Sequence, residues 1–470
     1  MSDNLIYLSG RWIPAGQETI NVINPATETR IGGVPECTFA DVDRAVRSAQ
    51  RAFPEWSRST VAERADALRR LHDGLAKRQD EIAQIIVSDV GTPIRIASRI
   101  QAALPQTDVA SYIDILGAEE PEERIGNSLI VHDPIGVVAA ITPWNYPLHQ
   151  ITAKLAPALA SGCTVVLKPS EVAPLVTRAL FDAIDDAGLP PGVVNLVHGR
   201  GPTVGEALVT HPGVDMVSFT GSERGGARVA QLAATQIKRV ALELGGKSAN
   251  VVLDDADLTS AVKAGVSNAF LNGGQTCTAW TRLVVPATRQ DEALHIAQAA
   301  AEKFVPGDPT DPKTKLGPLV SAQQRDRVLD YMQRGIYDGA RLVTGGPSTA
   351  PGHSRGFFVP PTVFGDVDPN SAIAQEEIFG PVLSVIPYRD EADALEIANN
   401  SAFGLHGAVW SGDPERALRF ARQVRTGQID INGAPHNPLA PFGGYKRSGI
   451  GRELGKAGLQ EFRETKAIQL

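Results

Sequence analysis

The chain has 470 residues, 43% of them apolar, with 45 basic and 53 acidic side chains giving a formal net charge of -8. That length passes the point where one hydrophobic core keeps growing, so two or more domains are expected, and scattered Lys and Arg without a basic stripe argue against a nucleic-acid partner. No basic segment leads into an apolar run at the start and no stretch of about eighteen apolar residues occurs, so an unexported chain with no membrane partner is expected.

Three cysteines, Cys37, Cys163 and Cys277, stand at unrelated spacings that suit neither a disulfide framework nor a metal site, so no metal is expected and a reducing, cytoplasmic compartment is. In chain order, "TFADVDRAVRSAQRAF" predicts a helix with Thr38 and Asp41 at capping-box spacing. "TVAERADALRRLHDGLAKRQDEIAQIIVSDVG" predicts a second, with Thr60 and Glu63 repeating the signature. From residue 136 short β-branched runs ("GVVAAI", "CTVVLKP", "VVNLVHG", "MVSFTGS") alternate with helical patterns, which argues for a parallel sheet covered by helices. A second α/β stretch runs from residue 243 to about 433. The alternating segment before residue 132 and the strand-like end "LQEFRETKAIQL" suit pairing between subunits.

Doubly wound sheets bind ligands beyond the carboxyl ends of their strands, so the turns there are where chemistry belongs. The second strand ends in "KPSE", about twenty-five residues past the first, near the distance at which dinucleotide folds place an acid on the ribose hydroxyls. Glu171 is that acid, and Lys168 beside it is a donor that equally suits a 2'-phosphate. The turn "GRGPTVG" carries Gly199, Gly201 and Gly205, one residue off the usual fingerprint and equally a tight turn into a helix. "FTGS" presents Gly221 and Ser222 at a helix start, suited to a phosphate or to a plain cap.

"NGGQTCTAW" sets Cys277 among glycines and small polar residues that permit close backbone approach, which makes it the candidate nucleophile; Cys163 reads as a buried hydrophobe. "LELGGKS" offers Glu243 as an acid, or alternatively as a strand-end partner of Lys247. "PWNYP" offers Asn145, whose amide is a neutral donor for a developing oxyanion.

These blocks, with "KLAPALASGCTVVLKPSE", "EEIFGPV", "ANNSAFGL" and "PFGGYKRSGIGRELG", resemble the NAD(P)-dependent aldehyde dehydrogenase superfamily over nearly the whole chain; Cys277 and Glu243 stand 34 positions apart, as in that family. The resemblance implies an α/β aldehyde dehydrogenase-like fold: a Rossmann-like cofactor domain (1–107 and 131–242), an α/β catalytic domain (243–433) and oligomerisation segments (108–130 and 434–470) forming a homodimer or homotetramer. It implies oxidation of a small-molecule aldehyde to its acid, with Cys277 as nucleophile, Glu243 as the base activating water and Asn145 holding the oxyanion. NAD is the implied cofactor, with NADP possible. Lys168 and Glu171 would hold the adenosine ribose, Ser222 the pyrophosphate, and Glu377 and Phe379 the nicotinamide riboside. Gly201, Pro202 and Gly205 would line the adenine side, and Trp144 and Gly221 the approach to the phosphates.

The chain departs from many relatives in its substrate tunnel. Trp280 stands where a small residue is common, Thr276 and Thr278 flank the thiol, and Ala153 replaces a bulky aromatic; Tyr146, His149, Gln150 and the segment from His436 to Leu439 complete the expected wall. No arginine is evident there for a carboxylated semialdehyde. A coenzyme A-acylating relative would lack Glu243, a non-enzymatic scaffold would have lost part of the Cys277, Glu243 and Asn145 set, and a cysteine hydrolase would need a histidine base.

Overall fold

The computed structural model describes residues 3–16, 18–118 and 123–470; residues 119–122, inside the expected projecting segment, lie outside the described residues. Both capping boxes form. Thr38 and Thr60 accept the amides of Asp41 and Glu63, whose carboxylates return to the cap amides, an arrangement in which each cap contributes about 1 kcal/mol. The helix Phe39–Trp56 follows the first box. The second expected helix is two, Val61–Lys77 and Gln79–Val90, broken at Arg78 (φ -107°, ψ 11°). There the guanidinium donates to the Gly74 carbonyl at 2.9 Å and pairs with Asp186 at 2.8 Å, satisfying groups at the bend.

Around a first sheet of eight strands the spatial order is Arg11–Pro14, Leu5–Leu8, Val194–Leu196, Thr164–Lys168, Val137–Ile141, Met216–Thr220, Arg239–Glu243, Gly449–Ile450. The five inner strands are parallel, and their apolar runs are buried because helices cover both faces. From Val137–Ile141 the chain builds outward first on one side and then on the other, so the turns after that strand and after Met216–Thr220 meet at the topological switch point, the expected ligand crevice.

A second sheet has seven strands in the order Arg341–Thr344, Thr362–Gly365, Val382–Tyr388, Arg282–Pro286, Ala249–Val252, Gly407–Trp410, Asp430–Ile431; all pairs but the first are parallel. Each sheet has its own apolar packing, such as Leu71, Leu155 and Phe181 with the first and Phe364, Ile386 and Phe420 with the second. A third, antiparallel sheet joins Glu123–Ile125, Ser128–Pro134 and the terminal Arg463–Gln469, whose side chains after Arg463 are exposed. Among the described residues no helix is long and apolar enough to cross a membrane.

Candidate active site

Cys277 follows the helix Leu258–Ala269 and a short turn in which Asn272, Gly273 and Gly274 have φ of 52°, 68° and 71°. Three successive left-handed residues are tolerable because two are glycine and the third is asparagine. At Gly274 a side chain is also excluded by space, since a Cβ would collide with the Gly380 carbonyl. Asn272 accepts from Thr92 Oγ1 at 2.7 Å and donates to the Asn145 carbonyl at 3.0 Å; Gln275 Oε1 accepts the Val320 amide at 2.9 Å. The glycines thus give a tightly tied loop, not a loose one.

Asn145 lies at the switch point and is 3% exposed; its Nδ2 donates to the Gln275 carbonyl at 3.0 Å. A carboxamide has two N–H donors, so one orients the group on the cysteine loop and the other remains to serve a reacting oxygen. Burial, then the charges of Glu377 and Glu243, push the Cys277 thiol up to about 12, so it rests protonated at neutral pH.

Glu243 ends the strand Arg239–Glu243, buried, with Oε2 lacking a hydrogen-bond partner among the described residues. Burial foremost, then Glu453, holds its carboxyl well above the usual range, while Lys154 and Arg452 pull it back. Lys154 Nζ, also buried, donates to Thr220 Oγ1 at 2.6 Å and to Glu453 Oε1. The pairing of Glu243 with Lys247 considered from sequence does not form: Lys247 Nζ is buried without a hydrogen bond among the described residues, and burial with Arg282 nearby pushes it down to about 7. Over Glu243 lies the C-terminal segment. Gly449 pairs with Glu243 in the sheet, the Leu244 amide donates to the Ser448 carbonyl at 2.9 Å, and a Cβ on Gly443 would press on the Glu243 carboxylate.

At the other end of the crevice Lys168 ends its strand and pairs with Glu171 at 3.2 Å. Burial lowers the lysine's pKa and Glu171 opposes that shift. Gly201–Gly205 forms a wide helical turn containing Pro202, with open space over Gly201 and the Lys168 stem 3.9 Å from a Cβ on Gly205. Ser222 caps the helix Glu223–Ala234 by accepting the Gly225 amide, and the Gly221 amide donates to the Glu243 carbonyl at 3.0 Å. Both are therefore partly engaged within the protein.

Glu377 lies against Gly245, where a Cβ would meet its carboxylate, and accepts the Gly246 amide at 3.1 Å; burial raises it to about 7. Its neighbour Phe379 has φ of 62° and meets Trp144 edge-on, with ring centroids 5.4 Å apart. This contact joins a turn of the first sheet to a loop of the second.

Of the tunnel residues, Tyr146 is buried and its hydroxyl lies 3.0 Å from Thr276 Oγ1. His149 is half-buried; Gln150 and Ala153 are buried, Gln150 with an unpartnered Oε1. Trp280, also buried, donates through Nε1 to His406 Nδ1 at 3.1 Å. Because indole only donates, that His406 nitrogen is an acceptor and its Nε2 carries the hydrogen toward Asp430, 3.3 Å away. The Thr278 carbonyl borders the same ring.

With this geometry established, comparison decides the family: the aldehyde dehydrogenase family profile matches residues 12–468. The chain belongs to the aldehyde dehydrogenase family. It is 48% identical over 98% of its length, and 97% of the other chain, to a 3-succinoylsemialdehyde-pyridine dehydrogenase from a Pseudomonas species. Among solved structures it resembles a Cys-to-Ala variant of aldehyde dehydrogenase C from Pseudomonas syringae bound to NAD+ and octanal (TM-score 0.98, 47% identity, covering 99% and 96% of the two chains). It also resembles betaine aldehyde dehydrogenase from Staphylococcus aureus in complex with NAD+ (TM-score 0.96, 36% identity, 99% and 94%).

Several groups in this aldehyde dehydrogenase were not singled out from sequence: Asp108, Lys154, His406, Asp430 and Glu453. Lys154 and Glu453 are 299 positions apart, so no local pattern joins them. Both nevertheless sit inside blocks that carried the family resemblance, "KLAPALAS" and "GRELG".

Proposed function

We propose that the chain oxidises an aldehyde to the carboxylic acid through a covalent adduct on Cys277, with NAD as the hydride acceptor. The observation that carries this reading is that the Asn145 amide donates to the cysteine loop at Gln275, two residues before Cys277, while Glu243, a buried carboxyl with an open oxygen, lies near enough for its charge to act on that thiol. The residues suit a dinucleotide. Glu171 is a carboxylate with one oxygen on Lys168 and another left to accept from ribose hydroxyls, Gly201 leaves open space, and Glu377 with Phe379 edges the Cys277 side. A 2'-phosphate would meet the Glu171 charge, which favours NAD over NADP. Relatives solved with NAD+ support the same choice.

The Cys277 sulfur adds to the aldehyde carbon, its proton passing to solvent water as the S–C bond forms, and the new oxyanion takes the free Asn145 N–H and the Cys277 amide. When bound, the nicotinamide supplies the acceptor for the hydride that the adduct releases on becoming a thioester. Glu243 then removes a proton from water as the water oxygen attacks the thioester carbon; the C–S bond breaks, the acid leaves, and the proton held by Glu243 returns to the departing sulfur, restoring both groups. The linked Lys154 and Glu453 pair sets the charge around Glu243, Glu453 raising its proton affinity and Lys154 lowering it. We assign the first sheet to the cofactor and the second to the cysteine loop. The antiparallel sheet of Ser128–Pro134 and Arg463–Gln469 is the element we propose joins subunits into a homodimer or homotetramer.

The test is reduced-cofactor formation from NAD or NADP with a panel of aliphatic, aromatic and carboxylated aldehydes. Turnover with NAD and at least one aldehyde is expected. Silence of a fully reduced enzyme across the panel would defeat the reading and favour a fold-retaining binding protein.

A further inference from the structure

Thr276, the residue before the nucleophile, has a hydroxyl with two partners: Oγ1 lies 3.2 Å from the Leu271 carbonyl oxygen and 3.0 Å from the Tyr146 hydroxyl. A carbonyl only accepts, so the single threonine hydrogen goes to Leu271 and the Tyr146 phenol donates to Thr276. The Thr276 carbonyl in turn accepts the Ala279 amide at 3.1 Å. Thr276 therefore closes the left-handed turn on one side of the thiol and the residues after it on the other.

Tyr146 is buried and directly precedes the helix Pro147–Ser161. That helix is itself pinned by Asp108 of the neighbouring helix Leu104–Gly117, whose Oδ2 accepts from Thr152 Oγ1 at 2.7 Å and lies 2.8 Å from His149 Nδ1. Burial foremost raises the pKa of the Tyr146 phenol, the Thr276 bond opposes that shift, and Cys277 lies near enough for its charge to add to it. The peptide unit joining Thr276 to Cys277 is planar and stiff, so whatever fixes Thr276 also fixes the Cys277 amide, the donor that the mechanism above gives to the oxyanion. Asn145 holds the loop at Asn272 and Gln275; Tyr146 holds it at Thr276 itself.

We propose that Tyr146 and Thr276 are positioning residues for Cys277: the bond from phenol to threonine holds the peptide that carries the nucleophile, so that sulfur and amide meet the reacting carbonyl together. Neither side chain gives or takes a proton in the reaction. If the two only walled the substrate tunnel, their loss would change KM according to aldehyde size and leave the attack of the thiol alone. The proposal rests on Cys277 as the nucleophile of the proposed function, and not on its nicotinamide step.

The experiment is a double-mutant cycle on the acylation of Cys277 by 4-nitrophenyl acetate, in which the sulfur bonds to the acetyl carbon, the ester C–O bond breaks and the released nitrophenolate is measured without cofactor. Tyr146→Phe removes one oxygen and Thr276→Val keeps the shape without the hydroxyl; each should slow the acylation burst by about tenfold. The double variant should be no slower than Thr276→Val alone, because the bond is already gone. Thr276→Ser should keep most of the unmodified rate, and KM for NAD should change by less than about twofold in every variant. The same coupling is expected in the burst of reduced cofactor with acetaldehyde, a substrate too small to report on the tunnel wall. A burst unchanged in either single variant, or single effects that multiply in the double variant, would overturn the proposal while leaving aldehyde oxidation standing. The expected coupling in ester acylation without oxidation of any aldehyde would keep the positioning pair and overturn the proposed dehydrogenation.

Discussion

Two carboxylates of the first sheet, Glu171 just beyond one parallel strand and Glu243 at the end of another, have opposite surroundings. Glu171 is part-exposed and paired with Lys168, whereas Glu243 is buried beneath the C-terminal segment with one oxygen unpartnered and a carboxyl held well above its usual range. The difference teaches how one architecture serves two tasks. A paired, part-exposed carboxylate is suited to accepting hydrogen bonds from a ligand; a buried one with raised proton affinity is suited to moving a proton.

The comparison is broken most completely through Cys277, the thiol that the proposed mechanism has Glu243 serve. Cys277→Ala should remove at least about 10⁴-fold of kcat, while cofactor binding, read by thermal stabilisation with NAD, survives. Glu243→Gln should leave a burst of reduced cofactor close to one per active site and then slow the steady state by about 10²- to 10⁴-fold; loss of the burst too would mean that Glu243 activates the thiol. In the unmodified enzyme the base works only when deprotonated and its pKa is raised, so steady-state kcat should climb with pH beyond the ordinary carboxylate range. A profile flat from acid to alkaline pH would count against that role.

Asn145→Ala should cost about 10²- to 10³-fold in kcat, as loss of one oxyanion donor does. The smallest effect falls on the paired carboxylate: Glu171→Gln should raise KM for NAD by about tenfold and narrow the preference over NADP, with kcat changing less. If Glu171→Gln instead lowered kcat as much as Glu243→Gln, the division of labour would be wrong.

Local chemistry carried much of this arrangement into the sequence. The two capping boxes fixed helix starts at Thr38 and Thr60, the β-branched runs marked four inner strands of the first sheet, and the glycines before Cys277 marked its loop. What stayed hidden was set by distant partners. The break at Arg78 depends on Asp186, the tautomer of His406 on Trp280 and Asp430, and the environment of Glu243 on Lys154 and Glu453. The glycine and serine of "FTGS" illustrate the same limit, because both phosphate binding and capping were compatible with the sequence, and only the fold reveals Ser222 on the Gly225 amide.

The strand that roofs Glu243 has a consequence for the order of synthesis. Ser448, which donates to the Gly245 carbonyl at 2.7 Å, is 203 residues downstream of it. A growing chain can assemble the inner parallel strands early, but the surroundings of Glu243 stay open until the segment around Ser448 emerges. Contacts so far apart in sequence close late and slowly. A chain arrested before Phe442 would therefore carry Cys277 and Glu243 without the strand that covers the carboxyl, so the surroundings that tune it are completed long after both residues have been made.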